Sequence, residues 1–124
     1  MNDMPLKLRR ELAADDRYRV CTRYMLLHDH ICESDPVTGR SIEWEHAFIY
    51  AGKQIQEPWA IVSLCWLTHR GPLANKPLSQ LIALSRATKE DLMKYPNVDW
   101  VKEIRRLNFI VEQQKQNSLA PCLA

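Results

Sequence analysis

Glycine is scarce in this chain, with three among 124 residues. A glycine-rich phosphate cradle is therefore excluded: Gly52-Lys53 lacks the rest of that pattern and precedes no suitable helix. Internal repeats and low-complexity segments are also missing. There is no long uncharged apolar run, and the longest apolar stretch, residues 59–67, is interrupted by Ser63. That excludes a membrane-spanning helix. The first residues, MNDMPLKLRRELAADD, carry charge almost from the start and lack the apolar centre of a secretion signal, so a cytoplasmic location is expected. Charge of one sign is lacking too, since 17 Lys and Arg face 15 Asp and Glu, a net +2. Such a balance argues little by itself for a polyanionic partner. The basic residues do cluster, at Lys7, Arg9, Arg10, Arg17, Arg19 and Arg23 and again at Lys102, Arg105 and Arg106. These read first as solvated helix faces.

What the chain does contain is concentrated. Residues 39–69 hold two of the four histidines, one of the four cysteines and three of the four tryptophans. In a cytosolic chain the cysteines are expected as thiols or metal ligands rather than disulfides. Cys21, Cys32 and Cys65 share their part of the chain with His28, His30, His46 and His69. Cys122 lies apart in a polar tail and reads as an incidental thiol.

The length fits one domain with a modest core. Pro5, with Leu8 and Leu12 four apart, predicts an N-terminal helix, and Asp15 or Asp16 would cap a second short piece reaching Met25. Residues 28–36 hold too many turn formers to stay helical, and Asp35-Pro36-Val37-Thr38-Gly39 reads as a turn. Residues 41–50 alternate, with Ile42, Trp44, His46 and Phe48 on one side, which is the period of a half-buried strand. Pairing with residues 31–33 would make a hairpin, and Ala51-Gly52-Lys53 would end it. Pro58 then predicts a helix to about His69, on which Ile61, Leu64 and Cys65 share a face and His69 lies one turn past Cys65. Helices are expected from Pro77, from Thr88 with Asp91 as a capping box, and from Asn97 or Asp99 through Val101, Ile104, Leu107 and Val111. Fraying is expected beyond Lys115. The tryptophans read as core residues.

A hairpin followed by a helix, with one histidine on the second strand and another on the helix, suits metal-assisted phosphodiester chemistry. The strand histidine can take a proton from water, while a divalent cation neutralises charge on the phosphate. The residues Glu45-His46, Leu64-Cys65 and His69 resemble the HNH motif of the ββα-metal endonucleases. The wider wording, Gly39-Arg40-x-Ile42-x-Trp44-Glu45-His46-Ala47 with Tyr50-Ala51-Gly52, Ile55-Gln56, Trp59-Ala60-Ile61 and Leu64-Cys65, is similar to small HNH-like proteins of phages and prophages. The resemblance spans residues 6–107. It implies an α+β, mainly helical fold: a zinc-stabilised ββα core over residues 28–70, N-terminal helices, and a helical extension over 73–115. A single domain over 1–116 with a tail at 117–124 follows.

The resemblance also implies roles. His46 would be the general base of a DNA endonuclease or nickase, and Glu45 or His69 would bind the catalytic magnesium or manganese. Double-stranded DNA would be the partner, with Arg40 and Lys53 as candidates for phosphate contact. Two departures from the family pattern point to the alternative of an inactive zinc-stabilised module that binds DNA or a host protein. Ala60 stands where the family has an asparagine that orients the base, and Thr68 replaces the second cysteine of a Cys-x-x-Cys-His ending. Cys21, Cys32, Cys65 and His69 make a complete set for structural zinc. A competing set takes His28 or His30 as the fourth ligand and leaves His69 for catalysis; spacing does not separate the two.

Overall fold

The computed structural model describes residues 4–123, with side chains as far as residue 117. The chain is α+β and mostly helical. Helix α1 (Leu6–Ala13) leads through a short 3-10 turn (Asp16–Arg19) to α2 (Thr22–Leu27). Asp15 caps the 3-10 turn by accepting from the Arg17 amide. At the end of α2, His28 adopts a left-handed conformation (φ 49°), which turns the chain away from the helix axis. Residues 29–41 contain neither helix nor strand.

Strand β1 (Ile42–His46) is where the alternation predicted it, but its partner is not residues 31–33. It pairs antiparallel with β4 (Ile61–Cys65), matching Ile42 to Cys65 and His46 to Ile61. Between them a small hairpin, β2 (Ile49–Tyr50) and β3 (Lys53–Gln54), projects from the same strand end. Its two-residue turn has positive φ at both Ala51 (52°) and Gly52 (80°). That is the geometry whose twist suits a hairpin, so these residues form a turn within the hairpin rather than ending it.

The predicted helix over 58–69 is replaced by three pieces: a 3-10 turn (Pro58–Ala60), β4, and the single-turn helix α3 (Trp66–His69). A short apolar run does not distinguish a buried strand from a buried helix by period, and here Ile61 and Val62 favour the strand. All five residues of β4 are buried because both its faces are covered. Ile61 packs with Leu8, Leu12 and Tyr18, while Val62 and Leu64 join a larger core with Ala83, Leu84 and Leu107.

Ser63 has 0% exposure and would be costly to bury unpaired. It donates to the Arg17 carbonyl (3.1 Å) and meets Thr22 Oγ1 at 2.9 Å. Arg86 donates in turn to Thr22 Oγ1 (3.1 Å) and to the Ile61 carbonyl (3.3 Å). One polar chain therefore joins α2, β4 and helix α4 (Lys76–Arg86).

Asn75 caps α4 through the Leu78 amide, and Pro77 lies in its first turn. The Thr88–Asp91 capping box opens α5 (Lys89–Met93). Asp99 accepts from the Lys102 amide at the start of α6 (Trp100–Leu123), which packs on α4 and continues past residue 115, where fraying was expected. Phe48, Trp59, Tyr95 and Trp100 form an aromatic group, edge-to-face except for the tilted Phe48–Trp59 pair, and Tyr95 meets Tyr50 of the β2–β3 hairpin. Trp44 is anchored by its indole N–H on the Tyr18 carbonyl, whereas Trp66 is 53% exposed and is not a core residue. Among the described residues no helix is long and apolar enough to cross a membrane.

Candidate metal centre and hairpin site

The fold brings three cysteines and one histidine together at the end of β4. Cys21 immediately precedes α2, His30 and Cys32 follow the reversal at His28, and Cys65 closes the strand. One donor atom from each of Cys21, His30, Cys32 and Cys65 lies within 4.8 Å of all the others. His30 Nε2 is 3.3 Å from Cys65 Sγ and 3.7 Å from Cys21 Sγ. A tetrahedral ion with thiolate and imidazole bond lengths holds its donors about 3.4–3.8 Å apart. The four side chains therefore fit a single ion, and the cluster could hold a metal.

The fourth member is His30, not His69. The expectation for His69 placed Cys65 and His69 on one helical face. Cys65 is instead the last residue of β4, so the pleat aims its thiol at Cys21 rather than along α3. His28 caps α2, with its ring edge-on to Tyr24, and is exposed.

Neighbouring groups orient the cluster. Asp29 Oδ1 lies 2.7 Å from His30 Nδ1, and its other oxygen accepts from Arg23 Nε at 2.7 Å. A carboxylate on Nδ1 holds the proton there and turns the Nε2 lone pair toward the thiols. Burial raises the Asp29 pKa, but hydrogen bonds from His30 and Arg23 outweigh it, and the carboxyl sits below its usual range. Thr68, where the family resemblance would place a cysteine, is buried with Oγ1 3.6 Å from Cys21 Sγ and 3.5 Å from Cys65 Sγ. Burial pushes the Cys65 thiol up, yet hydrogen bonds from Thr68, His30 and Cys21 hold it down at about 7. Cys21, more deeply enclosed, is pushed up by burial. The side chain of Cys122 lies outside the described residues.

Replacing Asp29 by asparagine should weaken metal binding by about 10–100-fold while leaving the donor set intact. Competition against a chromophoric chelator measures this, and an unchanged affinity would deny Asp29 its orienting role.

A second group of polar side chains lies along β1. His46 ends the strand half-buried, with Nε2 2.8 Å from Gln56 Oε1. Its carbonyl accepts from Lys76 Nζ at 2.5 Å, and the same ammonium is 3.3 Å from Glu45 Oε1. Glu45 Oε2 is buried without a partner among the described residues.

Glu43, two residues earlier on the same strand face, is bound by His69 Nδ1 at 2.6 Å and by the Arg70 guanidinium. The Arg70 hydrogen bond outweighs the opposing effect of burial, and with His69 it holds the Glu43 carboxyl below its usual range. His46 is therefore on the first strand of the main pair, not the second. Among the described residues no hydrogen bond joins it to His69.

Arg40 is exposed in the Asp35–Arg40 turn, and Lys53 is exposed on β3. Ala60 has 0% exposure, and its carbonyl accepts from the Ala47 amide, so its methyl is enclosed and offers His46 no hydrogen bond. Sequence reasoning missed Gln56 and Lys76. Gln56 stands in the Ile55-Gln56 wording of the resemblance but has no role assigned there, and Lys76, the first residue of α4, lies in no motif.

Comparison with protein-family models, curated proteins and solved structures returns no match.

Proposed function

We propose that this chain is an HNH-like, metal-dependent DNA endonuclease or nickase built around a structural zinc. Three thiols and an imidazole converging on one point favour zinc over magnesium or calcium, which take oxygen ligands. The ion would be structural, because four protein donors leave no open position.

The catalytic proposal is carried by one observation: Glu45, the residue before His46 on β1, keeps a buried carboxylate oxygen without a partner among the described residues. A magnesium or manganese ion there would supply charge neutralisation on the scissile phosphate and leaving oxygen. Glu45 is the better candidate to hold it, since Oε2 has no partner among the described residues while His69 is engaged with Glu43. His46 would accept the proton of the attacking water, and Arg40 and Lys53 would contact backbone phosphates on either side of the strand pair.

The test is plasmid cleavage by zinc-loaded protein. Supercoiled DNA should become nicked when magnesium or manganese is added and should stay supercoiled without them. DNA left intact under all these conditions would end the catalytic claim.

A specific observation favours a second reading. The Lys76 ammonium already offsets the charge of Glu45, and Arg70 that of Glu43, so neither carboxylate needs a divalent cation for charge balance. On that reading the chain is a zinc-stabilised module that binds DNA or a host protein without cutting. Binding to duplex DNA would weaken steeply with salt, whereas a protein partner would not show that slope.

A further inference from the structure

The reading of His46 as a base leaves open what orients it, because the buried methyl of Ala60 cannot. We propose that Gln56 is the positioning residue of His46, holding the ring in the tautomer protonated at Nε2 so that Nδ1 carries the free lone pair. The inference deepens the endonuclease reading and rests on it for its catalytic meaning.

Four observations carry it. Gln56 Oε1, an acceptor only, lies 2.8 Å from His46 Nε2, so the ring nitrogen must donate. Among the described residues, Nδ1 makes no hydrogen bond and is not one of the fully buried unpartnered atoms, so it is not sealed from solvent.

The third observation is that Gln56 is fixed from both sides. Ile55, 3% exposed, continues the β2–β3 ladder by donating its amide to the Phe48 carbonyl at 2.9 Å. Glu57, on the other side, is held by Lys94 Nζ at 2.9 Å and by the Tyr95 hydroxyl. The amide between them is pre-oriented rather than recruited at random from solvent, and its one hydrogen bond among the described residues goes to His46.

Fourth, the backbone that carries the imidazole is held as well. Lys76 fixes the His46 carbonyl, and one turn along α4 Gln80 Nε2 donates to the Ala47 carbonyl at 3.0 Å. Backbone and ring are thus each secured, and rotation of the ring is the freedom that Gln56 removes. The β2–β3 hairpin is then more than a connection: its tight turn returns the chain so that residue 56 lies against residue 46.

The tautomer is read directly from the ring nitrogen resonances of His46 in the zinc-loaded full-length chain. The wild type should show Nε2 protonated and Nδ1 bare. Gln56→Leu should give averaged signals from two interconverting tautomers, with the thermal midpoint little changed. Gln56→Glu, which still accepts from Nε2, should restore the wild-type pattern.

Nicking by Gln56→Leu should lose about 10–100-fold in kcat with KM little altered, as expected when a base is present but misaligned. Gln56→Glu should recover much of that loss. A wild-type His46 protonated at Nδ1, or a spectrum unchanged in Gln56→Leu, would overturn the proposal. The spectra decide the Gln56–His46 relation even if the wild type leaves DNA intact. That last result would remove the endonuclease reading alone.

Discussion

Removing the ion proposed for this cluster should cost the chain its cooperative fold. Residues 29–41 form no helix or strand, and the cluster holds this segment to α2 and β4 through His30, Cys32, Cys21 and Cys65. Binding of a structural zinc by such a donor set is worth on the order of 10–16 kcal/mol. The whole stability of a domain this size is about 5–15 kcal/mol. The ion's contribution is therefore comparable to the total, and the apo chain should not keep its cooperative fold.

Cys65→Ser is the sharpest version of this change, because Cys65 sits on the central strand and contacts Cys21, His30 and Thr68. A chelator-treated sample and the Cys65→Ser variant should both lose the cooperative thermal transition followed by circular dichroism. Re-adding zinc should restore it in the first sample only. Cys122→Ser should behave as the wild type. A Cys65→Ser protein that melts cooperatively at the wild-type temperature would show that the thiols merely pack.

His46→Ala should abolish nicking while leaving the fold in place, the reverse of the metal-centre variants. General-base catalysis contributes about 10²–10⁴-fold, and the loss should fall in that range or below detection. The structural cost is small. His46 is only half-buried, its side chain makes one hydrogen bond, and such a bond contributes about 1 kcal/mol. Its backbone pairing with Ile61 and the Lys76 bond to its carbonyl do not depend on the ring. Steady-state nicking and thermal melting of the same preparation separate the two effects. A fully active His46→Ala would remove His46 from the mechanism.

The sequence made some of this visible and hid the rest for physical reasons. The alternation through Ile42, Trp44 and His46 identified β1 because one face of that strand is packed and the other carries Glu43 and Glu45. Caps were legible because they are local: Asp15 at the 3-10 turn, the Thr88–Asp91 box and Asp99 before α6 all act within a few residues. Strand β4 was not legible as a strand. Covered on both faces, it has no polar side to reveal its period, and Pro58 suggested a helix start that lasts only one 3-10 turn.

That misreading also set the wrong direction for Cys65, which is why His69 looked like its metal partner. His30, which the fold places in the cluster, belongs to the alternative donor set, in which spacing does not separate it from His28. The left-handed turn at His28, and Asp29 behind His30, decide between them. The link of Gln56 to His46 is not legible in the sequence, because it depends on the whole β2–β3 hairpin folding back.

The proposed metal centre takes His30 as its fourth ligand, and His69 binds Glu43 instead. Elemental analysis of the wild type, His30→Ala and His69→Ala after dialysis against a mild chelator tests this most directly. One zinc per chain should remain in the wild type and in His69→Ala, and His30→Ala should lose it. Zinc retained by His30→Ala and lost from His69→Ala would contradict the account and return the site to Cys21, Cys32, Cys65 and His69.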